Sequence, residues 1–183
     1  MAATALIPIA NGSEDIESVT LIDVLRRAEV EVTVASVHDQ KTITAARSTI
    51  ITADALLADC VDTQYDLIAL PGGMPGAEHL GSCDPLIGML RAQKDEGRWY
   101  GAICAAPAVA LEPHGLLSGR AATAHPGFQQ RLANQSAVAD RVVVDGNCIT
   151  SQGPGTAIEF ALELVNALCG REKRQQVGAP MVL

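Results

Sequence analysis

Tyr100-Gly101-Ala102-Ile103-Cys104-Ala105-Ala106-Pro107-Ala108-Val109-Ala110 runs from a short apolar segment through a cysteine straight into small, helix-compatible residues. Read as a strand turning sharply into a helix, it puts Cys104 at the carboxyl end of the strand, in a nucleophile elbow aimed into a crevice. That place suits a thiolate, because the N–H groups and positive dipole end of the following helix favour S⁻ over SH. The competing reading is a buried core cysteine, since free Cys is among the most buried residue types.

Outward from the elbow, strands and helices alternate. Ala3–Ile9 is apolar and bounded by Asn11-Gly12-Ser13, after which Ile16, Val19, Leu21, Ile22, Val24, Leu25 and Ala28 mark a helix with a broad buried face. Val30–Ser36 is a β-branched second strand, and the Thr/Ile-rich pieces of Lys41–Thr52 around Arg47 read as a small hairpin. Asp66–Leu70 ends in Pro71-Gly72-Gly73, the pattern of a buried parallel strand and a tight loop. Asp84-Pro85 supplies an N-cap and a first-turn proline for a helix ended by Gly97. Arg120–Ala124, Arg141–Asp145 and Cys148–Ser151 complete the strands, the last two joined through Gly146-Asn147 as a hairpin. Thr156-Ala157-Ile158-Glu159 is a capping box for a helix whose stripe is Ile158, Ala161, Leu162, Val165 and Leu168, closed by Gly170. The expected fold is α/β: a doubly wound sandwich over a mostly parallel sheet with an edge hairpin.

At 183 residues and 48% hydrophobic, with no repeat or linker, residues 1–183 read as one domain. No run reaches membrane-span length and no basic leader follows Met1, so a cytoplasmic protein is expected, with no membrane partner. Five cysteines, widely spaced and without C-x-x-C, favour reduced thiols over a disulfide framework or a metal site. A net charge of −8 and only five aromatic residues argue against an electrostatic nucleic-acid surface or a base-stacking platform, and no sequence-specific nucleic-acid binding is expected. The tail Arg171–Leu183 begins charged and ends apolar, which calls for docking on its own subunit or a dimer partner.

In an open α/β sheet the chemistry lies in the loops at the carboxyl ends of the strands. Those loops hold Gly12–Glu17, Pro71–Gly73, Cys104 and Ala124-His125-Pro126. Gly72 and Gly73 allow backbone N–H groups to approach a reacting carbonyl, as an oxyanion hole requires, or serve turn geometry alone. His125 reads equally as a catalytic or a hydrogen-bonded loop histidine. Glu14 and Asp15 complement the helix N-terminus. Glu17 differs: ionised beside Cys104 it would raise the thiol pKa, whereas buried and protonated it would donate a hydrogen bond to the thiolate and lower it.

The set Gly12-x-x-x-x-Glu17, Leu70-Pro71-Gly72-Gly73, Ala102-Ile103-Cys104-Ala105, His125-Pro126 and Ser151-Gln152-Gly153-Pro154-Gly155-Thr156 resembles the ThiJ/PfpI superfamily over essentially the whole chain. Within it, the similarity is to the branch of the Parkinson-disease-associated protein DJ-one and the bacterial YajL. The resemblance implies a flavodoxin-like sandwich forming a homodimer with active sites near the interface. It implies Cys104 as the reactive cysteine, Glu17 as its protonated partner, His125 nearby, and Gly73 and Ala105 as oxyanion donors. Arginines near the pocket would be Arg27 and, from the partner subunit, Arg47. Peptidase members carry histidine directly after the cysteine, where this chain has Ala105, and close relatives have Ala-Gly where it has Ala105-Ala106.

What the resemblance implies for function is a glutathione-independent glyoxalase or deglycase acting on methylglyoxal, glyoxal or their early protein and nucleotide adducts, without cofactor or metal. A redox-sensing stress protein or chaperone controlled by Cys104 oxidation is the alternative. A cysteine peptidase or amidase is the third reading.

Overall fold

In the computed structural model, which describes residues 2–183, strands β1 (Thr4–Ile9), β2 (Glu31–Ser36), β5 (Ala55–Leu56), β6 (Leu67–Leu70), β7 (Trp99–Ile103), β8 (Val142–Asp145) and β9 (Cys148–Ser151) form one sheet. Their order is β5-β2-β1-β6-β7-β9-β8. All neighbours are parallel except β8 with β9, the antiparallel edge hairpin. The inner order β2-β1-β6-β7-β9 is the flavodoxin-like succession, with β5 and β8 added outside it. β3 (Thr42–Thr44) and β4 (Ile50–Thr52) make the separate small hairpin read from Lys41–Thr52.

The sheet divides two cores. Ala5, Ile7 and Ile9 face α1 (Asp15–Arg27) and α4 (Ala157–Gly178), while Leu6, Ile68, Leu70 and Tyr100 face α2 (Gly76–Gly81) and α3 (Asp84–Asp95). Strands buried on both faces read as continuous apolar runs, which is how β1, β6 and β7 were legible. Gly101 in β7 leaves the room into which Phe160 of α4 packs: a Cβ there would lie 2.5 Å from Ile149 O and 3.3 Å from the Phe160 ring.

Several sequence expectations are corrected. Arg120–Ala124 joins no ladder. Its amides are taken by side chains instead, Ala121 N–H by Asp145 Oδ2 (2.7 Å) and Thr123 N–H by Thr150 Oγ1 (3.0 Å). In α1 the buried face is Glu17, Ser18, Leu21, Val24 and Leu25, leaving Ile16 and Val19 exposed, because the inward position of the first turn goes to a carboxyl group. Asp84 is the first residue of α3, Cys83 its N-cap, and Pro85 follows. The capping box at Thr156 does not form. The Thr156 hydroxyl turns back to Gly153 and Ser151, Glu159 pairs with Arg141, and the buried residues are Ala157, Phe160, Ala161, Leu162, Leu164 and Val165, so Ala161, Leu162 and Val165 are as expected and Ile158 lies outside. Gly170 (φ +85°) breaks α4, but helix resumes, so the tail docks through Val177 and ends on exposed Val182 and Leu183.

Gly101→Ala should lower stability by about 1–3 kcal/mol, the usual cost of overpacking a core, and so lower Tm by several degrees. Thermal denaturation followed by circular dichroism checks this.

Candidate active site

Cys104 ends β7 in the left-handed region, at φ +67°. For a residue with a Cβ this conformation costs about 1–3 kcal/mol and needs surrounding structure to hold it. Here the Cys104 N–H donates to Ser151 O (3.0 Å) and the Cys104 carbonyl accepts from His125 N–H (2.7 Å). The helix behind it opens with a wide turn over Pro107–Leu111 and closes with a tight one over Glu112–His114. The N–H groups of Gly73 and Ala105 favour the thiolate.

Two loops are pressed backbone to backbone to build the floor. A Cβ on Gly12 (φ +80°) would strike Pro75 at 2.5 Å, and one on Gly73 (φ +86°) would strike the Glu14 amide and the Gly12 carbonyl. The Glu14 N–H donates to Gly72 O (2.9 Å), and the Gly72 N–H donates to Glu17 Oε2 (2.7 Å). Gly72 itself lies between the partners: a Cβ on it would stand 2.5 Å from Cys104 Cβ and 2.9 Å from Glu17 Oε2.

Glu17 is wholly buried, and its Oε1 has no hydrogen-bond partner. Burial pushes its pKa up to about 7, against the opposing effect of the Gly72 amide, with the charge of Glu14 adding to the rise. Burial and then the charge of an ionised Glu17 push the Cys104 thiol up to about 12. The two groups therefore do not ionise together near neutrality. Above about pH 7 the pair holds one proton and one negative charge. That proton lies with the thiol, where burial and the neighbouring carboxylate hold it, while the Gly73 and Ala105 N–H groups favour S⁻ when it leaves.

The sulfur opens on a cleft of about 370 Å³ lined by Glu14, Ala46, Arg47, Gly73, Met74, Cys104, Ala105, His125, Phe128 and Pro154. Cys104 is 8% exposed, at its floor. His125 Nδ1 accepts the Gly127 N–H (3.1 Å), so in the neutral ring the proton is on Nε2. Arg47 lines the cleft of its own chain. Arg27, at the far end of α1, pairs with Asp23 (2.8 Å) and is not among the lining residues. Asp15 holds the small hairpin through the amides of Arg47 (2.7 Å) and Thr49 (3.3 Å). Sequence reasoning missed Met74, Phe128 and the cleft-lining role of Glu14. Among the described residues, no group of three or more His, Cys, Asp or Glu side chains is placed to hold a metal, and no helix is long and apolar enough to cross a membrane.

A flavodoxin-like sheet with a positive-φ cysteine against a buried carboxyl group defines the class of α/β protein to which this site belongs. The chain belongs to the DJ-1/PfpI family, whose model matches residues 3–167. It is 49% identical over 172 residues to Protein DJ-1 homolog B of Arabidopsis thaliana, covering 94% of this chain but 39% of that protein. The chain thus spans about two fifths of the length of that plant relative. It is 37% identical over 174 residues to Glutathione-independent glyoxalase DJR-1.2 of Caenorhabditis elegans, covering 93% and 91% of the two chains. The solved structure of oxidized Toxoplasma gondii DJ-1 superposes with a TM-score of 0.96 at 42% identity, covering 99% of this chain and 98% of that one.

Glu17 binds its proton more tightly when folded, at about 7 against 4.5 ordinarily. Its contribution to stability is therefore fully present below about pH 4.5 and lost as pH rises through 7. Glu17→Gln mimics the protonated group, so urea denaturation should find it more stable than wild type by about 3 kcal/mol at pH 8, with the difference vanishing towards pH 4.5.

Proposed function

We propose that this chain is a cysteine-dependent, glutathione-independent glyoxalase that converts methylglyoxal or glyoxal to a 2-hydroxy acid. The observation that carries the reading is the buried Glu17 carboxyl set across Gly72 from the Cys104 side chain at the floor of the cleft, with Gly73 and Ala105 N–H groups at the sulfur. The Cys104 thiolate adds to the aldehyde carbon, and the charge that leaves sulfur for oxygen stays within reach of those N–H groups. Protonation of that oxygen gives the hemithioacetal. Glu17, acting as base and then acid, removes the proton from the former aldehyde carbon and returns one to the adjacent carbonyl carbon through an enediol. The first carbon is thereby oxidised to a thioester and the second reduced to an alcohol. Water cleaves the thioester, releasing lactate from methylglyoxal and restoring the thiol. His125, with its proton on Nε2, serves as a donor to the carbonyl oxygen in this scheme.

A cysteine only 8% exposed, on the floor of a small cleft, favours free aldehydes over adducts carried on a protein surface. The peptidase reading is disfavoured because the His125 Nδ1 is committed to Gly127 and the proton partner of the thiol is a carboxyl group. Oxidation of the same thiolate by peroxide remains the second reading. It uses Glu17 to tune sulfur but not to move protons in turnover.

Chirally resolved lactate from methylglyoxal, measured in amine-free buffer, should form with wild type and be lost in Cys104→Ala. Glu17→Gln should lose about 100-fold or more of this turnover while still reacting with peroxide; equal loss of both would count against the enzymatic role.

We also propose a homodimer. The hairpin leans on the start of α1 through Ala46 N–H to Ser13 O (2.8 Å), and Ile16, Val19 and Ile50 in these two elements are 55%, 52% and 62% exposed. Val19→Glu should convert a dimer into a monomer in sedimentation velocity; an unchanged mass would locate the contact elsewhere.

A further inference from the structure

The cleft over Cys104 is larger than the aldehyde that the reaction above takes. At about 370 Å³ it falls in the range of pockets that hold drug-sized ligands, and methylglyoxal fills a small part of it. With the aldehyde carbon joined to a sulfur at the floor, whatever the neighbouring carbonyl carbon carries extends towards the mouth. Of the Phe, Tyr and Trp side chains among the described residues, Phe128 alone lines the cleft, and Met74, 38% exposed, lines it too. Phe128 is set in place from several sides. Its N–H donates to His125 O (2.7 Å), its ring meets the His125 ring edge-on at 6.2 Å, Arg131 lies over it at 6.0 Å, and it packs against the core on the α2 and α3 side of the sheet. A ring so fixed offers apolar surface at little ordering cost. Beside His125, the charged side chains at the cleft are Glu14 and Arg47, of opposite sign, so no net charge there selects an ionic substituent.

We infer that Phe128 and Met74 form a subsite for a neutral apolar substituent, and that the substrates of this chain are 2-oxoaldehydes bearing a larger apolar group than the methyl of methylglyoxal. Phe128 has the leading part. When His125 donates to the carbonyl oxygen, as in the scheme above, the substituent on that carbonyl carbon lies beside the ring next to it, which is Phe128. Contact with that ring removes apolar surface from water in the bound aldehyde and in the transition state alike, so it lowers KM rather than raising kcat. Met74, unbranched and polarizable, adapts to substituents of different shape. The substrate class rests on the glyoxalase reading; the apolar wall does not, since it acts on any electrophile that reaches Cys104.

The first measurement needs no turnover. Rates of Cys104 alkylation by N-benzylmaleimide and N-methylmaleimide are compared at one pH, read at the Cys104 peptide by mass spectrometry, and their ratio is divided by that for N-acetylcysteine. Ionisation of the sulfur cancels in this ratio. Wild type should favour the benzyl reagent by about tenfold, and Phe128→Ala should bring the preference to about twofold or less through loss of the benzyl rate. Phe128→Leu should keep most of it. No preference in wild type, or an unchanged ratio in Phe128→Ala, would overturn the inference. Should Phe128→Ala fail to fold, Met74→Ser at the exposed rim carries the comparison, with a loss of about threefold expected and an unchanged ratio overturning the subsite. The second measurement is kcat/KM for isobutylglyoxal against methylglyoxal, which should favour the larger aldehyde by about tenfold in wild type and lose this in Phe128→Ala, mostly through KM. A value no higher for isobutylglyoxal would overturn the substrate class. Turnover of neither aldehyde would be a failure of the glyoxalase reading, and the maleimide ratio would still decide the subsite.

Discussion

The Gly72 amide donates to Glu17 Oε2, and that bond holds a carboxyl group where water cannot reach it. An ionised carboxylate there would have one oxygen paired and one orphaned, so the proton stays to a pH far above the ordinary range for glutamate. The acid–base character of the cysteine follows from this burial. The thiol is driven up by its own desolvation and by the charge of an ionised Glu17, and the Gly73 and Ala105 amides act the other way.

The backbone around the pair exists to keep that bond in register. Glycines at 12 and 73 adopt positive φ, and no Cβ fits where the loop after β1 lies on the loop after β6. Cys104 adopts positive φ with a Cβ, and its two backbone bonds, to Ser151 and His125, offset the strain. Strand β7, with β6 on one side and β9 on the other, thus delivers the sulfur, and α1 delivers the carboxyl, to one point at the carboxyl ends of the strands.

Much of this was legible in sequence because the signals were local. Continuous apolar runs marked β1, β6 and β7, and paired glycines marked the loop after β6. Cys104 was legible as an elbow residue because small residues follow it on a strand. What escaped depended on tertiary choices that periodicity does not encode. Ile16 and Val19 look like core, yet the helix rotates to bury Glu17 and Ser18. Ile158 sits on an apparent stripe, but the helix turns Phe160 inward against Gly101 of β7 and leaves Ile158 outside. Arg120–Ala124 has strand composition, but Asp145 and Thr150 side chains take its amides. Glu14 looked like a helix-end charge, and it is one; nothing in spacing says that it is also buried beside Glu17.

That unladdered segment has a consequence for how the site comes apart. Cys104 and Glu17 are anchored in the parallel sheet and the first helix, elements whose opening approaches global unfolding. His125 is carried by a stretch hung on side-chain bonds, one backbone bond to Cys104 and the turns that follow. The two walls of the cleft therefore meet at that one backbone bond, which is also one of the two that hold Cys104 at positive φ. A change that loosens the His125 wall widens the entrance and slackens the turn that aims the sulfur. Entry to the cleft and the aim of its cysteine are thus coupled under mutation.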